Sequence, residues 1–185
     1  MGFSLSWLAC RGPSFEVVAT RLGFVPGGKR VSFLQSPVAG RTLADGWHLL
    51  VAKRCDAPLV KAAALAGLST DCTVVACSIE EHVMFSSAEA WQHGKRLWRV
   101  EHAGEEGEDH LALDGSPPDF LEQRITDARA CQSEDSEVGW FFEIPLDCAK
   151  HLVGFKHDEI RPELEDEGFI VLQSMRGEKA WWRFW

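Results

Sequence analysis

The side chains best equipped for chemistry crowd into one short stretch of the chain. Glu80, Glu81, His82, Trp91, Trp98, Arg99, Glu101 and His102 bring together carboxylates, imidazoles, indoles and a guanidinium. Strand periodicity sorts them: Glu81, Val83 and Phe85 share one face, His82, Met84 and Ser86 the other. Leu97, Arg99 and Glu101 likewise oppose Trp98, Val100 and His102. Convergent, the set reads as a polar pocket in which Glu81 or Glu101 is the acid or base, His82 or His102 the proton carrier and Arg99 the clamp on an anionic group. Spread along a solvated sheet, the same residues read as an ion-pair ladder.

Other constellations are weaker. Cys72 and Cys77 fall on one predicted strand at a spacing that points them to opposite faces, so they do not share a metal ion. His151 and His157 have Asp158 and Glu159 nearby, but no second ligand pair at standard spacing; no metal and no cofactor is expected. Cys55-Asp56 lies where a strand meets a helix N-terminus, a position that lowers a thiol's pKa, although Asp56 as N-cap would compete for the same donors. The glycine-rich basic turn at 26–30 precedes a strand and lacks the helix that a phosphate cradle needs.

The elements that must position these residues follow from periodicity. Residues 3–10 alternate as a strand. Ser14 then opens a helix over 14–22, whose Phe15, Val18, Ala19 and Leu22 form one stripe. Residues 30–34 read as a short strand, 36–46 as a loop, 47–54 as a strand, 57–68 as a helix and 72–79 as a buried strand. That βαββαβ order is that of a ferredoxin-like sandwich. Short strands at 83–87, 96–102 and 110–114 then form an antiparallel β-meander. A capping box from Ser116 to Asp119 opens a helix over 117–131, and 132–137 reads as a polar loop. A strand at 138–144, a helix at 146–153 and a C-terminal hairpin of 169–173 with 180–185 close the chain. The fold class is α+β, a single compact domain over 1–185 with possible subdomains 1–79 and 80–185.

The six cysteines sit mostly in apolar segments of a chain long enough to bury a core, which fits free thiols in a reducing, cytoplasmic setting. No stretch is apolar for long enough to span a membrane.

Net charge is −9, but residues 1–100 carry eleven Lys or Arg against seven Asp or Glu, and 101–185 eight against twenty-one. An acidic half repels nucleic-acid backbones and attracts basic proteins. The reading is therefore a non-enzymatic binding protein, of the kind an immunity or inhibitor protein is, docking a basic partner through its second half. Glu163, Glu165, Asp166 and Glu167 would steer it, and rim tryptophans, Trp98 and Trp185 first, would anchor it. The alternative is a small enzyme or ligand-binding domain with its pocket on the meander; the oligomeric state is left open.

Overall fold

A computed structural model describes residues 2–134, 138–159 and 167–175. Its centre is one sheet of nine strands: β1 (Ser4–Arg11), β2 (Phe24–Val31), β3 (Val38–Thr42), β4 (His48–Ala52), β5 (Thr73–Glu80), β6 (Phe85–Gln92), β7 (Lys95–Ala103), β8 (Ala112–Gly115) and β9 (Phe169–Ser174). The order across the sheet is β2-β9-β3-β4-β1-β5-β6-β7-β8, and every neighbouring pair is antiparallel. The fold is thus α+β with a large antiparallel sheet and four helices among the described residues: α1 (Phe15–Arg21), α2 (Ala62–Leu68), α3 (Leu121–Glu134) and α4 (Trp140–Val153).

Both faces of the sheet are covered, so its central strands read as continuous apolar runs rather than alternating ones. In β1, Leu5, Trp7 and Ala9 enter one core, shared with Phe141, Ile144, Cys148 and Val153 of α4 and Leu121 and Ala128 of α3. Leu8 and Cys10 enter a second core on the opposite face, shared with Phe15, Val18 and Ala19 of α1 and Leu65 and Leu68 of α2. Helix α1 settles closely on the sheet because Gly40 leaves room: a Cβ there would lie 2.9 Å from the Phe15 ring and 2.8 Å from the Leu49 carbonyl oxygen.

The expected helix at 14–22 is α1, capped by Ser14, whose hydroxyl accepts from the Val17 N–H. Several other expectations need correction. The predicted loop 36–46 contains β3, and the predicted strand at 30–34 is split between the end of β2 and a 3-10 turn over Phe33–Gln35. The helix expected from residue 57 is a 3-10 turn, Pro58–Val60, followed by the shorter α2; Asp56 caps neither and instead pairs with Arg54 at 3.0 Å.

The predicted strand at 138–144 is the first half of α4. Its aromatic and β-branched residues favour a strand intrinsically, but burial against β5, β6 and β7 decides otherwise. Pro145 lies inside this helix and has no N–H for the Phe141 carbonyl one turn earlier, and the Ser86 hydroxyl of β6 ties the same turn to the sheet by donating to the Phe142 carbonyl at 2.7 Å.

At the C-terminal end, β9 pairs with β2 and β3. The second hairpin strand, 180–185, lies outside the described residues. The ferredoxin-like unit is not formed as a contiguous block, since β9 and β3 stand between β2 and β4. Nor does anything divide the sheet at residue 79, because β5 pairs with β6 along its whole length.

Candidate functional site

The meander expected around residues 80–114 exists as β5-β6-β7-β8, and its register decides which side chains meet. Trp98, Val100 and His102 point toward the helical layer of α3 and α4: Trp98 is a core residue at 5% exposure, and the His102 ring stands edge-on to Phe142 at 6.4 Å. Arg99 and Glu101 point to the opposite face, paired with each other. Glu81 belongs to neither strand. It sits on a 3-10 turn, Glu81–Val83, where its carboxylate accepts the Phe3 N–H at 2.8 Å and faces Nε2 of buried His157 at 3.3 Å. His82, exposed, pairs with Glu80 at 2.7 Å. Glu81, His82, Arg99, Glu101 and His102 therefore do not converge on one point, and the sheet lies between His102 and Arg99.

A hollow of about 230 Å³ does lie on the Arg99 face, between β5-β6-β7 and the segment 55–62. Ser78 and Ser87 stand opposite each other on β5 and β6, with Phe85 and Glu89 beside them, Arg96 and Arg99 on β7, and Cys55, Val60 and Lys61 across the gap. Arg96 contacts Asp114 at 2.7 Å and Glu89 at 3.7 Å. Burial, with Glu80 and Asp56 nearby, pushes the Cys55 thiol up to about 11, so it stays protonated at neutral pH and is not the activated nucleophile that its place in the sequence invites.

Of the other cysteines, Cys10, Cys72, Cys77 and Cys148 are core residues, and Cys131 is half-buried on α3. Cys72 and Cys77 enter different cores, as their spacing predicts. Cys72 instead meets Cys10, sulfur to sulfur at 3.2 Å, and burial pushes both thiols up. All six cysteines are free thiols. His151 lies against Phe120, ring centres 4.2 Å apart, and His157 is inside the core, so these two do not form a ligand pair. Among the described residues no group of three or more His, Cys, Asp or Glu is placed to hold a metal ion.

Charge pairing separates the two halves of the chain more sharply than net charge does. Of the seven carboxylates in the first hundred residues, six face a basic side chain: Asp45, Asp56, Asp71, Glu80, Glu81 and Glu89. Glu16 is the exception, in the first turn of α1, where the helix dipole favours it. Glu143, Asp147, Asp158 and Glu159 are paired as well. Glu105, Glu106, Glu108 and Asp109 in the β7–β8 connection, with Asp119, Glu122, Asp127 and Glu134 on and before α3, are all exposed. None of these eight has an ion-pair partner among the described residues.

Of the acidic residues singled out from sequence, Glu163, Glu165 and Asp166 lie outside the described residues, as does Trp185. Glu167 is 70% exposed and faces the largely buried Arg41 guanidinium at 2.8 Å, so it also has a structural task. The composition of residues 105–109 was visible in the sequence, but the lack of partners could be found only once the fold had placed every arginine and lysine.

No family model, no curated protein and no solved structure matches the chain, so the functional reading rests on its own geometry. No helix among the described residues is long and apolar enough to cross a membrane.

Proposed function

We propose that the protein is a non-enzymatic cytoplasmic binding protein, of the immunity or inhibitor type, that docks a basic protein partner through its acidic second half. The observation carrying this reading is the run of eight exposed carboxylates from Glu105 to Glu134 left without ion-pair partners, in a molecule that pairs almost every other carboxylate described. Unpaired like charges repel one another and destabilise the compact state, and a cationic partner relieves that repulsion. The same field discourages nucleic acid. Glu163, Glu165, Asp166 and Glu167 are proposed as further steering charge, and Trp185 as an anchor. Trp98, being core, contributes rigidity rather than contact. A ferredoxin-like unit over residues 1–79 is part of the same proposal: β1, β2, β4 and β5 run in the directions such a unit requires, with β3 and β9 inserted between β4 and β2.

The test is kinetic. Long-range attraction raises the association rate and is screened over about 10 Å at 0.1 M salt, whereas short-range packing sets dissociation. With a basic partner recovered by pull-down, converting Glu105, Glu106, Glu108 and Asp109 to their amides should lower the on-rate several-fold at low salt, flatten its salt dependence and leave the off-rate nearly unchanged. An on-rate identical to wild type at low salt refutes the steering role of this surface.

A further inference from the structure

The hollow between β5-β6-β7 and the segment 55–62 is separate from the run of unpaired carboxylates, and two serine hydroxyls on its floor have no hydrogen-bond partner among the described residues. Ser78 and Ser87 are register partners, so their hydroxyls lie side by side on its floor. Ser87 is only 7% exposed, and neither hydroxyl makes a hydrogen bond to any described residue. Neither oxygen is sealed from solvent, so both hydroxyls open onto the hollow with their donors available to a ligand there.

Cations stand over that floor. Lys61 has no ion-pair partner among the described residues, and the Arg96 and Arg99 side chains are about one-third exposed. Glu101 on Arg99, and Asp114 and Glu89 on Arg96, hold the two guanidiniums in place. A guanidinium has five N–H donors and a carboxylate engages at most two, so donors remain. The two carboxylates of the lining are themselves occupied: Asp56 by Arg54 at 3.0 Å, and Glu89 by the Trp91 indole N–H at 2.9 Å as well as by Arg96. Phe85 and Val60 add an apolar wall.

We propose that this hollow binds an oxoanion, the phosphate of a small phosphomonoester whose organic part lies on the Phe85–Val60 wall. Arg99 and Lys61 supply charge, and the Ser78 and Ser87 hydroxyls donate to the oxygens. This site is independent of the docking surface: none of its residues belongs to the unpaired acidic run.

Isothermal titration of the full chain with inorganic phosphate and with phenyl phosphate tests it. Saturable binding is expected for both, tighter for phenyl phosphate because of the apolar wall. Arg99→Gln should weaken phosphate at least about tenfold, and Ser87→Ala, which removes a hydroxyl without opening a cavity, several-fold. Arg21→Gln, whose partner is Asp71 on another part of the surface, should bind as wild type does. Wild-type protein that binds neither probe saturably overturns the proposal. So does a Ser87→Ala protein with an unchanged melting temperature and unchanged affinity, or a preference for acetate over phosphate.

Discussion

His102 is held as a neutral ring. It is 2% exposed, and its Nδ1–H donates to the His110 carbonyl at 2.8 Å, while His110 in turn accepts the Ala103 N–H at 3.0 Å through its own Nδ1. Burial, assisted by the proximity of His110, lowers the His102 pKa below the ordinary histidine value, although the bond to the carbonyl works the other way. The unfolded chain therefore binds this proton more readily than the folded one. Stability from this residue is complete above about pH 6.5 and is lost as the pH falls from there through the lower folded-state pKa. His102→Asn keeps a donor for the His110 carbonyl but cannot titrate. Chemical denaturation between pH 5 and 7 should show a shallower slope for the variant, and parallel slopes would mean that His102 is not the residue responsible. Arg41 illustrates the opposite case of a charge kept inside. Its side chain is 8% exposed, lies over the Phe169 ring at 5.6 Å and reaches Glu167. Substitutions at Glu167 therefore mix stability with any effect on binding, which is why the charge-neutralising test uses residues 105–109 instead.

Helix α1 is where local pattern and tertiary packing agree. Val18 is fully buried between α1 and the sheet, and Glu16 is exposed in the first turn. Val18→Asp should cost about 3 kcal/mol or more, because a carboxylate there has no partner, and Glu16→Gln about 0.5 kcal/mol or less through the helix dipole. Urea titration of both variants decides it, and equal losses would contradict the packing described. The stripe Phe15, Val18, Ala19, Leu22 made α1 legible, and the apolar run of β5 did the same for that strand. Strand β3 was not legible, since Val38-Ala-Gly-Arg-Thr42 contains a glycine whose merit is room for Phe15 and an arginine whose counter-charge is Glu167, far along the chain. Helix α4 is not legible because the residues that favour a strand are those its deep burial requires, and because Pro145 in a sequence looks like a boundary although the helix runs through it. The polar set on the meander was half legible. Its strands were found, but face assignment depends on where β6 and β7 begin and on the register shift after Ala90, and Glu81 belongs to a turn instead.

At the scale of the whole molecule, two cores back to back on one sheet make independent unfolding of either face unfavourable, since β1, β4 and β5 contribute to both. The wing β2-β9-β3 is joined to the rest through the β3–β4 pairing, and Ile170 of β9 pairs with Arg30 on one side and Gly40 on the other. Ile170→Pro should lower the melting temperature, with tryptophan fluorescence and far-ultraviolet dichroism still following one transition. Two separated transitions would show that the wing is a cooperative unit of its own. The position of β9 also sets a schedule for biogenesis. Strands β2 and β3 leave the ribosome roughly 130 residues before β9 does, an interval of about ten seconds at ordinary elongation rates. Throughout it the β3 edge is an open template, able to accept β9 from a neighbouring chain as readily as its own, so crowded polysomes are where a strand-exchanged dimer of this protein would arise.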